Sequence, residues 1–250
     1  MAELFYDVRW SGDCDEKYID DFNRVQDQVF KGIHSREVFK HQYIDNIYGQ
    51  SVIVVVYDSD KPIAARSLWR NDISNKIAYQ PGRACVLSEY RGIGIFSKMT
   101  EEAVDILPQD AIIYSYPNQY SYPGYIKMGW QTFHVRYLRL FVSRKAYINE
   151  HPVAIDKGYY DWWVKGKRNV CIKRRGEYFL VKKLKPCCYE IISKVDLSIA
   201  KDCTIVRGLY LLFYLSATKQ FYSGHIMPSR TVAKNIGGIS YIPKWKIDAI

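Results

Sequence analysis

Apolar positions along the chain follow two alternating periods. Residues 4–8 read as a first strand, and residues 15–30 as a helix with Ile19, Phe22, Val25 and Val29 on one face. A second helix over residues 36–48 ends near Gly49. The apolar runs 51–57 and 62–69 flank Asp58, Ser59, Asp60 and Lys61 and predict an antiparallel hairpin. RACVL at 83–87 reads as a short buried strand, and AIIYSY at 111–116 as another. Between them Ile95, Met99, Ala103, Val104 and Leu107 recur at helical spacing. Residues 117–130 supply a short helix and residues 131–142 the last strand or two. This order predicts an α/β fold, a mixed twisted sheet flanked by helices.

The polar stretch 143–153 contains Pro152 and places a boundary, giving a domain over residues 1–146 and a smaller one over 147–250. The second domain is β-rich, with short strands at 170–174, 177–183 and 189–194. The apolar run 205–215 fits a strand or a buried helix, and Gly237 and Gly238 fall in a turn-like segment with no helix after it.

The candidate chemistry lies between the strand at 83–87 and the helix at 95. The segment EYRGIGIFSKMT, residues 89–100, brings two glycines to a helix start. Gly92 and Gly94 let the backbone turn sharply and approach a ligand. The first amides of a helix lack intrahelical partners and sit at the positive end of its dipole, which suits phosphate. Arg91 adds a charged donor and Ser97 a hydroxyl. Taken alone, such a loop is equally a tight strand-to-helix turn.

With its neighbours, the segment resembles the GNAT superfamily of acyl-CoA-dependent N-acyltransferases. The family's pyrophosphate loop is Arg or Gln, two residues, Gly, one residue, then Gly or Ala. Arg91 and Gly94 match it, while Phe96 departs from the small last position. The lead-in VLSEYRG, residues 86–92, is similar to the family's Val-x-Pro-x-Tyr-Arg-Gly, with Ser88 in place of Pro. A second signature is matched without a gap by Asn118, Ser121, Tyr125, Gly129 and Trp130. The resemblance covers residues 1–145 and is specific over 83–130. It implies a GNAT-like sheet for the first domain. A degenerate second copy of that fold is one reading of the C-terminal domain.

The resemblance also implies roles. Acetyl-CoA is the acyl donor, its pantetheine arm pairing with backbone at Cys85, Val86 and Leu87. Its pyrophosphate sits on the loop formed by Arg91, Gly92, Ile93, Gly94, Ile95, Phe96 and Ser97. Tyr125 falls on the catalytic tyrosine that gives a proton to the CoA sulfur; an ordinary phenol, with a pKa of ~10, is protonated at neutral pH. Asn118 orients the cofactor or caps the short helix. No Asp or Glu lies in residues 76–87, Glu89 flanks the loop, and His34, His41 and His134 are the histidines open to a base role.

Charge sharpens the picture. Residues 1–150 carry 18 Lys and Arg against 19 Asp and Glu, and residues 151–250 carry 18 against 7, so the net charge of +10 resides in the second half. Such asymmetry suggests an anionic partner. The densest cluster is Lys165, Lys167, Arg168, Lys173, Arg174 and Arg175. The six cysteines show no metal-ligand spacing, so no metal site is expected. No apolar run reaches the ~20 residues of a membrane span. The first residues lack a signal-peptide pattern, and the cysteines read as free thiols in a reducing cytoplasm.

These observations lead to an acetyl-CoA-dependent N-acetyltransferase acting on a small amine, an amino sugar or nucleotide sugar by the style of its motifs. Nucleic acid is not expected as a partner, and the oligomeric state is not readable. Two alternatives stand beside it: a Fem-like aminoacyl transferase using charged tRNA, and a GNAT-fold module that binds CoA without turnover.

Overall fold

The computed structural model describes residues 4–30, 34–73, 75–141, 155–165, 169–174, 176–208, 210–216 and 226–235. The chain divides into two units. The first holds Met1–Thr132 with Val232–Ile239, and the second Phe133–Thr231 with Ser240–Ile250. The expected boundary at 143–153 lies outside the described residues.

In the first unit β1 (Leu4–Trp10), β2 (Val52–Asp58), β3 (Lys61–Arg70) and β4 (Ala78–Val86) form an antiparallel meander. β5 (Ile112–Ser115) lies parallel to β4, and the end of β12 (Ile226–Lys234) pairs antiparallel with β5 through Val232–Lys234. Val52 to Val56 are wholly buried, which is expected where both faces of a sheet are covered.

Adjacent strand residues show which helix covers which face. Ser67 bonds Tyr43 of the helical segment made by α2 (Arg36–Phe39) and a wider turn (Lys40–Ile44). Arg66 bonds Thr100 of α3 (Ile95–Asp105). Neighbours in a strand point to opposite faces, so these helices lie on opposite sides of the sheet. α1 (Glu16–Phe30) buries Tyr18, Ile19, Phe22 and Val25, and Phe22, Phe39 and Tyr43 pack edge to face with ring centroids 5.0–6.0 Å apart. α4 (Tyr122–Lys127) follows β5.

The second unit begins with α5 (Lys157–Tyr159), extended by Tyr160–Val164. β7 (Val170–Arg174), β8 (Glu177–Lys185) and β9 (Cys188–Val195) form a second meander, and β11 (Leu211–Ser216) lies parallel to β9. β6 (Gln131–Phe141) pairs antiparallel with β11, and β10 (Thr204–Ile205) pairs parallel with β7. α6 (Leu197–Ala200) links β9 to β10. A meander, then a parallel strand, then an antiparallel one repeats the pairing senses of the first unit. Ile172, Phe179, Val181, Ile191 and Leu212 form its core.

Three sequence expectations need correction. The run 205–215 is two strands, not one element, because Gly208 turns the chain at φ +91°. The second helix stops at Ile44 rather than near residue 48, and Gly49 serves the loop after it at φ +112°. The strand expected at 83–87 starts at Ala78, because Pro81 and Gly82 are accommodated inside it.

Candidate active site

A cleft opens where β4 parts from β5. The two strands pair only at Ala78–Ile112 and Tyr79–Ile113. Pro81 then has no amide hydrogen to continue a ladder. On its other edge β4 pairs with β3 through a bulge. Ala65 faces Cys85 and Ser67 faces Gly82, so Arg83 and Ala84 together oppose Arg66. Arg83 takes φ +51°, a conformation uncommon for a non-glycine residue, and Gln26 Nε2 donates to its carbonyl at 2.5 Å.

The cleft has a volume of about 740 Å³, within the range of small-molecule sites. Arg66, Arg83, Arg91 and Lys127 line it, and no carboxylate among the described residues does. This positive lining is local, since residues 1–150 carry slightly more acidic than basic side chains.

At one end stands the glycine loop. Gly92 and Gly94 have φ of +84° and +89°, and Gly94 is the N-cap of α3 without a side-chain cap. Ser97 and Lys98 amides return to the Gly94 carbonyl. Among the described residues no protein group accepts from the Ile95 and Phe96 amides, which are left for a ligand. A Cβ at either glycine would meet nothing within 4 Å. The positive φ, rather than crowding by protein, therefore requires glycine here. The corresponding helix start in the second unit is closed: the Asp196 carboxylate accepts from the Ile199 amide at 2.9 Å, which holds its pKa below the usual range.

Not every expected loop residue faces the cleft. Val86, Arg91, Gly92, Gly94, Ile95, Phe96, Ser97 and Asn118 line it, whereas Cys85, Leu87 and Ile93 do not. Antiparallel alternation explains the first two. The Leu87 amide donates to the Ile63 carbonyl at 2.9 Å, so Val86 turns its own peptide groups to the opposite edge. Arg91 Nε donates to the Val86 carbonyl at 2.9 Å. The Cys85 thiol is buried, 3.6 Å from the Ala65 carbonyl, and burial pushes its pKa up to about 12. It therefore stays protonated and is no nucleophile at neutral pH.

The other wall carries the second motif. Asn118 Oδ1 accepts from the amides of Tyr120 and Ser121, both at 3.0 Å, which shapes the turn into α4. Tyr125 is 3 % exposed and packs against Trp130, with centroids 4.7 Å apart, and against Phe96 at 5.5 Å. Phe96 turns its ring toward α4, where a Cβ at Gly124 would lie 2.8 Å from its Cε1. The bulky residue in the loop is thus seated against a glycine.

Arg66 was not foreseen in the sequence. It is wholly buried, lines the cleft and has no carboxylate partner among the described residues. One terminal nitrogen donates to the Tyr125 hydroxyl and the other to Thr100 Oγ1 at 2.6 Å, while Nε has no partner. Its guanidinium lies 4.8 Å from the Phe96 ring centroid. The only signal in the sequence was a charged residue inside an apolar strand, PIAARSLW.

Of the candidate bases, Glu89 is exposed and pairs with Lys61 at 3.2 Å. His34 Nδ1 lies 2.6 Å from Asp27 Oδ1 and its Nε2 2.8 Å from Arg83. A nitrogen facing a guanidinium must accept, so the other carries the hydrogen to Asp27. His41 does not line the cleft, and the side chain of His134 lies outside the described residues, as do Lys167, Arg168 and Arg175 of the basic cluster.

No family model and no curated protein matches this sequence. Solved structures do. A GCN5-related N-acetyltransferase from Anabaena variabilis superposes with a TM-score of 0.56 at 12% identity, covering 94% of this chain and 73% of its own. One from Kribbella flavida gives 0.54 at 14%, covering 91% and 71%. A protein from Enterococcus faecalis described as a probable N-acyltransferase gives 0.55 at 10%, covering 92% and 72%. The chain has the fold of the GCN5-related N-acetyltransferases.

Proposed function

We propose that the protein is an acetyl-CoA-dependent N-acetyltransferase of a small, anionic amine. One observation carries this: an electropositive cleft at a split between parallel strands, with an uncapped helix N-terminus at one end and a buried tyrosine in its wall. Phosphates fit the free amides of Ile95 and Phe96 and the charge of Arg91. The outward peptide groups of Val86 fit an extended amide chain, as a strand would. A thioester at Tyr125 supplies the activated acyl group.

The residues then divide the work. Tyr125 donates its phenolic proton to the departing sulfur as the nitrogen–carbon bond forms and the carbon–sulfur bond breaks. Solvent takes the proton lost by the amine and returns one to the Tyr125 phenolate, which restores the balance. With no carboxylate among the described residues lining the cleft, the amine enters neutral or gives its proton to water. The four basic side chains favour an acceptor bearing phosphate or carboxylate, and a nucleotide sugar meets that description.

The second unit supports the reading of a degenerate GNAT-like half, because its strands repeat the pairing senses of the first while Asp196 closes the start of the helix that follows β9. The test is release of free thiol from acetyl-CoA with panels of amines. Acetyl transfer to an anionic amine supports the proposal. Saturable CoA binding without transfer to any amine leaves a CoA-binding module. Steeply salt-dependent tRNA binding without acetyl transfer favours an aminoacyl transferase.

A further inference from the structure

Arg83 and Arg91 of the first unit bond His34 and the Val86 carbonyl, and Arg66 stands apart by being wholly buried. Arg9, Arg36 and Arg70 each pair with carboxylates. Arg66 is more buried than any of them and has none among the described residues. An isolated buried charge is expensive, and its surroundings here are only partly compensating. Thr100 accepts from it and passes its own hydrogen to the Phe96 carbonyl at 2.5 Å. The rings of Phe96 and Tyr125 lie 4.8 and 5.4 Å from the guanidinium, presenting only partial negative charge. Nε is buried and unpartnered.

The Tyr125 hydroxyl is the link between this charge and the cleft. It accepts from Arg66, so its own hydrogen is left to donate. Ser115 Oγ also donates to it, at 3.3 Å, so the direction left to that hydrogen is the cleft. A hydroxyl that accepts from a cation while donating to an anion is polarised along that line and strengthens both bonds. The full counter-charge that Arg66 lacks in the protein can therefore arrive with a ligand, one hydroxyl away.

We propose that Arg66 and Tyr125 together form an anion site at the acyl-transfer end of the cleft, which receives the thiolate of CoA. Arg66 is a positioning residue: it acts through Tyr125 and holds the phenol as a donor toward sulfur. This rests on the acyl-CoA reading above. It adds that the leaving group is stabilised by a buried cation besides being protonated.

The experiment is calorimetric titration with CoA and with desulfo-CoA, which lacks the sulfur, between pH 7 and 9. Free thiols ionise near pH 8.5. Wild-type protein should prefer CoA, with the preference growing through this range to about tenfold or more, the size of one hydrogen bond to a charged group. Arg66→Met should abolish the preference and leave desulfo-CoA affinity intact, while Arg66→Lys should keep part of it. Tyr125→Phe, which retains the ring, should also erase it and serves if the Met variant does not fold. A preference unchanged in Arg66→Met, or in Tyr125→Phe, overturns the inference while leaving CoA binding standing. Absence of binding to either ligand by the wild type overturns the acyl-CoA reading and this inference with it.

Discussion

Gly124→Ala tests the packing that seats the phosphate loop against the tyrosine. A Cβ at this position would lie 2.8 Å from Phe96 Cε1, closer than real carbon contacts, and 3.1 Å from Cδ1. The ring must move, and it is in contact with Tyr125 and lies over Arg66. Overpacking of this kind costs about 1–3 kcal/mol. Alanine in place of glycine within α4 returns up to ~1 kcal/mol of helix propensity. A net destabilisation of about 1 kcal/mol is therefore expected. In a Phe96→Leu background the clash is relieved, and the same change should be neutral or stabilising. Urea denaturation of the four proteins with equal m-values gives the coupling directly. If Gly124→Ala stabilises both backgrounds equally, the ring does not sit against Gly124 and the account of Phe96 is wrong.

Tyr125→Phe should lower turnover by ~10²–10⁴-fold with acetyl-CoA affinity nearly unchanged, as read from kcat and KM on an active acceptor. Cys85, protonated to about pH 12, should resist iodoacetamide at pH 8 in the native protein and react on unfolding, scored by mass spectrometry. The same shift has a stability consequence. The unfolded thiol ionises near pH 9 and the folded one near 12, so the contribution of Cys85 is present below pH 9 and is lost as pH rises toward 12. Replacing Lys127, which lines the cleft, with glutamate should raise KM for an anionic acceptor, and the effect should shrink at 1 M salt.

The parts of the site legible in the sequence are those written within a few residues. Gly92 and Gly94 announce a positive-φ turn before a helix, and Asn118, Tyr125, Gly129 and Trp130 describe one turn, one short helix and its end. The parts that escaped depend on distant partners. Arg66 meets Thr100 and Tyr125, which are 34 and 59 positions away, so its role has no local signature. β4 was read too short because Pro81 and Gly82 are turn residues by composition, yet both pair in register with Leu68 and Ser67 of β3, and the bulge follows them at Arg83 and Ala84. The resemblance implied backbone pairing at Cys85, Val86 and Leu87 alike, whereas the alternation of an antiparallel ladder turns the peptide groups of Val86 to the cleft edge. Arg207 and Gly208 broke an apolar run that hydrophobicity alone joined.

The central claim is that this cleft binds an acyl-CoA through the uncapped start of α3. Its most direct measurement is a calorimetric titration of CoA into the wild type, Arg91→Ala and Gly94→Val, each checked for folding by circular dichroism. The account predicts saturable one-to-one binding to the wild type, a loss of about 1.5–3 kcal/mol in Arg91→Ala, and no measurable binding in Gly94→Val, whose φ a β-branched residue does not tolerate. A folded wild type that does not bind CoA, or equal affinity in all three proteins, would contradict it.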